Sequence, residues 1–425
     1  MLGEYFRCKG FWMLDALKGS EIRKYAAEWN RINSKRCGNP EALEALLKHA
    51  IATVPYYKEI DAPEITHFPV VSKKEYRADF DAFRSRNFLI DEELHKVYTS
   101  GSTGTPFMAY QDREKIRRHQ AGLINLNRSI GWNLGARFLF FRVWGVSHGS
   151  NRLAQFMSNT VPVDVINFND EKKETIRQRL LRDKSLHLIL GYASAIESLA
   201  DYLAQYHETY GIKLIISDSE NLSATAKAKM EEVFQCPVLN RYGNNENGII
   251  ALTMPGDDRM HINFPEYYVE LLDLDSDEPV APGKPGRIVI TDLYNKAFPF
   301  IRYDTGDIGI ADEMYGNQCI VLKEFVGRVS AALRTVSGER IGETAVTAYF
   351  ENIVGLKRYQ VAQTAQKKYE IRVENEDNNL DGLLVQRAKA AFGEDAEIAV
   401  SHVAQIPQGK NGKYKITSYE VEDKT

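Results

Sequence analysis

The sequence predicts an α/β protein of two domains: a large N-terminal domain of mixed sheets and helices, and a small α+β C-terminal domain. Between about residues 137 and 240, short runs rich in β-branched and aromatic residues alternate with longer helical stretches. This alternation is typical of βαβ units in a mostly parallel sheet. From about 261 to 326 apolar residues alternate as in antiparallel strands, which predicts a small β subdomain. The 425 residues also exceed what one hydrophobic core usually holds.

The flanking segments complete the division into domains. Residues up to about 60 are predicted to be helical, because their apolar residues recur at the spacing of one helix face. Ser72 is a candidate N-cap, with Glu75 at the third helical position. Beyond Gly327-Arg328 the sequence predicts a strand, a strand, a helix over 381–392 and a further strand. We therefore expect domains at residues 1–328 and 329–425.

The composition excludes several classes of protein. With 44% hydrophobic and 26% charged residues the chain is typical of soluble globular proteins, and the net charge of −4 argues against a general nucleic-acid binder. The apolar run Phe11–Leu14 is too short for a signal core or a membrane span. The four cysteines have no Cys-x-x-Cys spacing, which argues against a zinc site or disulfide framework. We expect a reduced, cytoplasmic protein, monomeric or homodimeric, that binds small molecules.

A glycine- and hydroxyl-rich stretch, Tyr98–Pro106, is the first candidate functional segment. Its two glycines expose backbone N–H groups, and Ser100, Ser102, Thr103 and Thr105 add hydroxyl donors. Such donors without acidic neighbours suit the phosphates of a nucleotide. The alternative is a solvated surface loop, and the stretch lacks the Gly-Lys-Ser/Thr of the commoner phosphate loop.

Two carboxylates and one lysine are further candidates, each with an alternative. Glu246 follows a predicted strand and turn, where it could hold Mg²⁺ or cap a following helix. Asp307, at a glycine turn, could bind the hydroxyls of a sugar or stabilise the turn itself. Lys413 could stabilise a developing oxyanion or belong to a solvated basic tail.

The aromatic run from 137 to 148 ends at His148, with Trp144 close before it. These two residues could line a substrate pocket, although a lone histidine is more often structural. The sequence contains no recognisable motif for a nucleophile, a base and an acid of a catalytic triad, so a hydrolase has little support.

Six segments, in their order along the chain, resemble the core motifs of adenylate-forming enzymes. They are Tyr98–Pro106, Ser217–Asn221, Tyr242–Glu246, Tyr303–Asp307, Gly327-Arg328 and Gly412-Lys413. That superfamily contains acyl-CoA synthetases, peptide-synthetase adenylation domains and luciferases. Within it the chain is most similar to the phenylacetate–CoA ligase and CapK-like capsule-biosynthesis branch. This likeness rests on Leu46–Ala50 with Val54–Tyr57, and on Phe68–Lys73.

The resemblance implies activation of a carboxylic acid with ATP and Mg²⁺ to an acyl-adenylate, with release of pyrophosphate. The acyl group would then pass to a thiol (CoA or a carrier) or to an amine. The positions implied for phosphate binding are Thr99, Ser100, Gly101, Ser102, Thr103, Gly104 and Thr105. Those implied for adenine and its surroundings are Ser219, Glu220, Tyr242, Gly243, Asn244 and Asn245, and for ribose Asp307 and Arg328.

The resemblance also implies the catalytic groups. Glu246 would bind Mg²⁺ and Lys413 would stabilise the adenylation transition state, carried by a small domain that swings about a hinge near Ser330. Trp144 and His148 would line the acid pocket, whose aromatic walls suit an aryl or mid-sized apolar acid.

Three positions depart from the family pattern. Phe107 stands where many relatives have Lys, Asn245 replaces the usual Thr, and Ser330 replaces a hinge residue that is often charged. Two alternatives stay open: a catalytically inactive homologue that binds a nucleotide or acyl-adenylate, and an amide-forming capsule-biosynthesis ligase without CoA. The sequence identifies neither the acid nor the acceptor.

Overall fold

The fold is that of a computed structural model of the chain. It describes residues 2–89, 94–98, 107–144, 152–166, 168–220, 222–328, 333–338, 340–341, 343–350, 353–356, 358–374, 378–406 and 415–421. Several sequence-predicted positions lie outside the described residues: Thr99–Pro106, His148, Asn221, Ser330, Gly412 and Lys413.

The N-terminal segment is helical, as predicted. Helices α1 (Leu2–Leu17), α2 (Glu21–Lys35) and α3 (Pro40–Thr53) come first, and the six-residue α4 (Lys73–Ala78) follows. Helix α4 begins at the predicted cap Ser72, in a capping box in which the backbone N–H of Ser72 donates to Glu75 Oε2 at 2.9 Å. None of the described helices has the length and apolar character needed to cross a membrane.

A single large sheet follows. Its strands are β3 (Arg137–Arg142), β4 (Thr160–Asp164), β5 (Leu186–Gly191), β6 (Leu214–Asp218), β7 (Val238–Asn244), β8 (Gly248–Met254), β9 (Asp257–Ile262), β10 (Tyr267–Leu272), β11 (Pro285–Asp292), β12 (Tyr303–Tyr315) and β13 (Gln318–Arg328). Strands β1 (His95–Tyr98) and β2 (Met108–Gln111) form a separate hairpin. The spatial order of the large sheet is β10-β11-β12-β13-β9-β8-β7-β6-β5-β3-β4.

The sheet is parallel in one half and antiparallel in the other. Neighbours from β4 to β7 pair in parallel, and those from β7 to β10 pair antiparallel. The sequence predicted both patterns, and the structure joins the antiparallel subdomain to the parallel strands as one continuous sheet.

Four of the described helices accompany the parallel half: α6 (Arg152–Ser158), α7 (Asp170–Arg182), α8 (Ala193–Ala204) and α9 (Ala224–Phe234). Helix α5 (Arg113–Ser129) packs instead on α2 and on β8 of the antiparallel half. Ile196 and Leu199 of α8 are buried against Ile189 and Ile215 of β5 and β6, because the apolar face of the helix meets fully apolar strands. This packing leaves the carboxyl ends of the parallel strands on one edge of the sheet.

The C-terminal domain is separate and has an α+β fold. It contains β14 (Leu333–Arg334), β15 (Arg340–Ile341), α10 (Glu343–Phe350), β16 (Tyr359–Ala365), β17 (Lys368–Val373), α11 (Asp381–Phe392), β18 (Glu397–His402) and β19 (Thr417–Tyr419). Strands β18-β17-β16-β19 form its sheet. Its own core includes Ile371, Leu384 and the stacked rings of Tyr369 and Phe392. Helix α11 has the predicted bounds.

Candidate active site

Glu246 lies at the tip of a β-hairpin. Strand β7 ends at Asn244 and β8 starts at Gly248, so no helix follows Glu246 and the alternative role of a helix cap is wrong. The turn is held by Asn247, whose N–H donates to Asn244 Oδ1 at 2.8 Å. Gly243 allows the two strands to approach, since a Cβ there would lie 2.5 Å from the Gly248 carbonyl oxygen.

The carboxylate of Glu246 is buried and balanced by a cation. The residue is 1% exposed, and its Oε1 lies 2.8 Å from Lys73 Nζ and accepts a 2.8 Å hydrogen bond from the hydroxyl of Tyr303. Burial, followed by the neighbouring Glu246 charge, raises the pKa of Tyr303 well above its usual value, so Tyr303 stays a donor. Glu246 is therefore a fixed, desolvated anion with a cation beside it.

Lys73 is a site residue that the sequence alone does not reveal. Lys73 is the first residue of α4, and the chain before it is tied to β12 by a bridge: Val71 N–H donates to Arg302 O at 3.0 Å, and Asp304 N–H donates to Val71 O at 2.9 Å. The predicted cap at Ser72 located the start of the helix. No local signal, however, could pair Lys73 with a carboxylate so far along the chain.

The chemistry of this position fits a hard divalent cation. Lys73 already supplies a positive charge at Glu246, and its side chain is 32% exposed, so it can leave the carboxylate. Among the described residues there is no group of three or more His, Cys, Asp or Glu that could hold a metal. A Mg²⁺ ion at Glu246 would thus take its other ligands from water and phosphates, as Mg²⁺ commonly does.

Both strands that flank the glycine-rich segment, β1 and β2, contact the Glu246 hairpin. Asn245 Nδ2 donates to the carbonyl oxygen of Tyr98 at 3.0 Å, and Gln111 Nε2 donates to the carbonyl oxygen of Glu246 at 3.0 Å. Tyr98 and Met108 are direct partners in the β1–β2 hairpin, which places the two ends side by side. The departure at Asn245 therefore has a structural role, since its amide holds the start of the segment.

Phe107, at the end of that segment, is an anchor. It is buried in an aromatic cluster, with ring centroids 6.1 Å from Tyr76, 6.5 Å from Phe298 and 6.4 Å from Phe300. Tyr76 belongs to α4, so the helix that carries Lys73 packs on the residue that ends the segment. Phe107 is thus a core side chain, and Lys73 brings a lysine to the site from α4.

Asp307 is joined to the Glu246 hairpin through Tyr242. The Tyr242 hydroxyl donates to Asp307 Oδ2 at 2.7 Å, and the Tyr242 ring packs on Phe325 with centroids 4.7 Å apart. Asp307 is mostly buried in β12, where its backbone pairs with that of Arg328 in β13.

The turn beside Asp307 is stabilised by another carboxylate. Asp304 Oδ1 accepts the N–H of Gly306 at 2.8 Å, and the N–H of Asp307 donates to Thr305 Oγ1 at 3.1 Å. The Asp304 carboxylate thus stabilises this turn, while the Asp307 carboxylate accepts the hydrogen bond of Tyr242 from β7.

Ser219 and Glu220 follow β6 at the carboxyl edge of the sheet. Ser219 has a left-handed backbone conformation (φ 68°). Glu220 Oε2 accepts the N–H of Ser194 at 2.8 Å, in the first turn of α8, where the helix dipole favours a negative charge. An ion pair of 2.7 Å between Asp218 and Arg241 joins the ends of β6 and β7.

Trp144 follows β3, which is separated from β7 in the sheet by the two strands β6 and β5. Its indole Nε1 donates to Phe140 O at 3.2 Å and its backbone N–H donates to Asp164 Oδ1 at 3.2 Å. The half-buried ring is held edge-on to Phe140, with centroids 5.6 Å apart. Trp144 is therefore a fixed aromatic wall on the edge that carries the other site residues.

A buried network supports the hairpin from behind. Lys115 and Asp292 form an ion pair of 2.7 Å, and both are almost fully buried. Lys115 Nζ also donates to the hydroxyl of Tyr267 at 3.1 Å, which in turn donates to the carbonyl oxygen of Asn247. Burial raises the pKa of Asp292, and Lys115 opposes that rise.

Two family models match segments of the chain. Residues 91–293 match the family model of AMP-binding enzymes, and residues 333–420 match that of the CapK C-terminal domain. Protein CapK of Staphylococcus aureus is 21% identical over 391 residues, which cover 84% of this chain and 80% of CapK. Phenylacetate-coenzyme A ligase of Pseudomonas putida is 24% identical over 296 residues, 63% of this chain and 64% of the ligase, so that match spans less than two thirds of the enzyme.

A solved structure shares the fold over nearly the whole chain. It is a 2-hydroxyisobutyryl-CoA ligase in the postadenylation state, in complex with R3-HIB-AMP. The TM-score is 0.67 at 18% identity, and the alignment covers 89% of this chain and 88% of that ligase. With its AMP-binding enzyme domain and CapK C-terminal domain, the chain belongs to the adenylate-forming superfamily, in the CapK-like branch.

Proposed function

We propose that the protein activates a carboxylic acid with ATP to an acyl-adenylate, releases pyrophosphate, and then transfers the acyl group to a thiol or an amine. The observation that carries this proposal is the position of the buried Glu246 carboxylate. Its hairpin contacts both strands that flank the glycine-rich segment, and the carboxylate lies beside the exchangeable cation of Lys73. Asp307 is joined to the same hairpin through Tyr242.

In the proposed site each part of ATP has its own residues. The phosphates are bound by the segment Thr99–Thr105, and the ribose by Asp307 and Arg328. Adenine lies against the strand ends at Ser219, Glu220 and Tyr242 to Asn245. Asp307 suits ribose because its carboxylate is already oriented by the Tyr242 hydroxyl and can accept hydrogen bonds from sugar hydroxyls.

The first step is an attack by the carboxylate oxygen of the acid on the α-phosphorus of ATP. The new bond is the acyl–phosphate bond, and the bond that breaks joins the α-phosphorus to the bridging oxygen, so pyrophosphate leaves with that electron pair. Lys413 stabilises the charge that builds on the α-phosphate oxygens. Bound at Glu246, Mg²⁺ would neutralise phosphate charge, and Lys73, displaced from Glu246, would turn towards the same phosphates.

The proposed site also has a pocket for the acid and a mobile C-terminal domain. Trp144 and His148 line the pocket for the acid, which suits an aryl or mid-sized apolar group. Residues 1–328 form the domain that binds ATP and the acid, and residues 329–425 form a lid that turns near Ser330 to bring Lys413 in for adenylation. The name of the phenylacetate-coenzyme A ligases supports CoA as the thiol. The alternative, a capsule-biosynthesis role with a carrier or amine acceptor, rests on the resemblance to the CapK-like branch alone.

Pyrophosphate exchange into ATP across a panel of aryl and amino acids tests the proposal. At least one acid should stimulate exchange, and Lys413→Ala should reduce that exchange by about 100-fold or more. Lys415→Ala, which removes an exposed lysine close by, is the matched control and should keep it. Binding of ATP without exchange for any acid would favour the inactive homologue and overturn the proposal.

A further inference from the structure

Helix α1 turns an apolar stripe to the solvent. Phe6, Met13 and Leu17 recur at helical spacing on one face, with Tyr5 and Leu14 on either side, and all five side chains are exposed. The opposite face is occupied within the chain: Phe11 and Trp12 pack towards α2, and the buried Asp15 accepts the N–H groups that begin α2. The apolar exposed face is therefore not needed to hold α1 on the protein.

Helix α6 extends this surface. Phe156 and Met157 are exposed, and Arg7 of α1 holds α6 in place. Arg7 Nε donates to the carbonyl oxygen of Phe156 at 3.1 Å, and its guanidinium lies 4.9 Å from the centre of the Phe156 ring. Together the side chains form one apolar surface, which we call the α1–α6 face. Its members are Tyr5, Phe6, Met13, Leu14, Leu17, Phe156 and Met157.

The size of the α1–α6 face is that of a protein–protein interface. Its side chains are 42–77% exposed. If a large side chain has a surface of roughly 200 Å², the exposed fractions of these seven side chains add up to about 800 Å² of accessible surface. The largest apolar patch of a typical monomer is about 300–600 Å². A standard stable interface buries about 800 Å² on each partner.

We propose that the α1–α6 face is the interface of a homodimer, in which α1 packs antiparallel on α1 of a second copy. A two-fold axis between Lys9 and Gly10 sets Phe6 opposite Met13 of the second copy and Tyr5 opposite Leu14. Every pair then recurs across the axis, as an isologous interface requires. Lys9 remains at the edge, with its ammonium 5.4 Å from the centre of the Tyr5 ring in its own chain.

Gly10 is a second observation that favours another copy of the chain as the partner of α1. Glycine weakens a helix interior, and apart from the two neighbouring residues and the backbone of α1 itself no described atom lies within 4 Å of the position a Cβ would take at Gly10. The packing within one chain therefore gives no reason for a glycine there. At the crossing point of two helices, a glycine lets the backbones approach closely.

A lipid surface fits the same face less well. Helices that lie on membranes carry a basic polar face opposite their apolar one. The second face of α1 carries Phe11, Trp12 and Asp15, which pack on the protein. The α1–α6 face therefore fits the same face of a second copy better than it fits the anionic headgroups of a membrane.

Light scattering with size-exclusion chromatography of the full chain, over a dilution series, tests the dimer. The wild-type particle should have twice the 48.3 kDa of one chain. The double variant Phe6→Asp/Met13→Asp should elute as a monomer, because each change acts twice across the axis and weakens association by roughly 100-fold or more. Val354→Asp, at a 92% exposed position in the C-terminal domain, is the matched control and should stay dimeric.

A second variant separates interface effects from folding. In Gly10→Leu the new side chain has room within a single chain, and leucine favours the helix more than glycine does. The melting temperature of the variant should therefore be unchanged or higher, while the dimer associates more weakly. A monomeric wild type, or a dimer that survives both α1 variants, would overturn the proposal. So would a monomeric wild type that sediments with vesicles of phosphatidylcholine and phosphatidylglycerol. The test is independent of catalysis, since loss of pyrophosphate exchange would leave the dimer unaffected.

Discussion

Replacing Lys73 by methionine perturbs the charge balance of the proposed metal position. Breaking a fully buried ion pair costs about 3–5 kcal/mol, whereas exposed pairs contribute at most about 1 kcal/mol. Glu246 is 1% exposed and Lys73 is 32% exposed, and Tyr303 still donates to the carboxylate in the variant. We therefore expect a loss of about 2 kcal/mol, which lowers the melting temperature of the large domain by about 4 °C.

Calorimetry in EDTA, followed by a Mg²⁺ titration, measures this effect. Without Lys73 the carboxylate is open to the metal, so Mg²⁺ should restore stability in Lys73→Met and stabilise wild type less. Glu246→Gln combined with Lys73→Met should cost clearly less than the sum of the two single changes, by about 1–2 kcal/mol. Lys74→Met, at the exposed neighbour on α4, is the matched control. Additive costs within about 0.5 kcal/mol, or equal Mg²⁺ responses, would refute the coupling.

Three further predictions follow from the same structure. Lys115→Met should lower the free energy of unfolding in urea by about 3–5 kcal/mol at about pH 8 and by less at about pH 5.5. Because the pKa of Asp292 is raised in the folded state, the folded variant gains a proton at Asp292 as the pH falls and recovers stability. A cost that does not depend on pH would contradict the Lys115–Asp292 pair. Burial raises the pKa of both Cys236 and Cys319 to about 12. Iodoacetamide at about pH 8 should therefore label these two cysteines only after the protein is denatured. Labelling of the native protein at the rate of a free thiol would contradict their burial. Lys413→Ala should lose adenylation but still transfer an acyl group from supplied acyl-adenylate, and equal loss of both steps would refute its role.

Local features of the sequence predicted the fold well. The start of α4 at Ser72 and the bounds of α11 follow from capping residues and from apolar periodicity, which act over a few residues. The two halves of the large sheet were also predicted from their different periodicities. Their union into one sheet was not, because strand neighbours are set by packing between distant segments.

The candidate site was predicted less completely, for the same reason. Glu246 and Asp307 were identified by their positions after turns, but their partners Lys73 and Tyr242 are remote in sequence. Glu246 was also given the alternative of capping a helix, although the glycines that flank it favour a hairpin. The role of Asn245 became visible only when its amide was found on the Tyr98 carbonyl oxygen.

Transfer of an isotope from the acid to AMP tests adenylation most directly. The protein is incubated with ATP, Mg²⁺, an acceptor and an acid that stimulates exchange, with ¹⁸O in its carboxylate. Because the carboxylate oxygen attacks the α-phosphorus, acyl transfer should leave one ¹⁸O atom in the phosphate of AMP, as read by mass spectrometry, with pyrophosphate unlabelled. Formation of ADP with ¹⁸O in inorganic phosphate, or AMP without label, would contradict an acyl-adenylate.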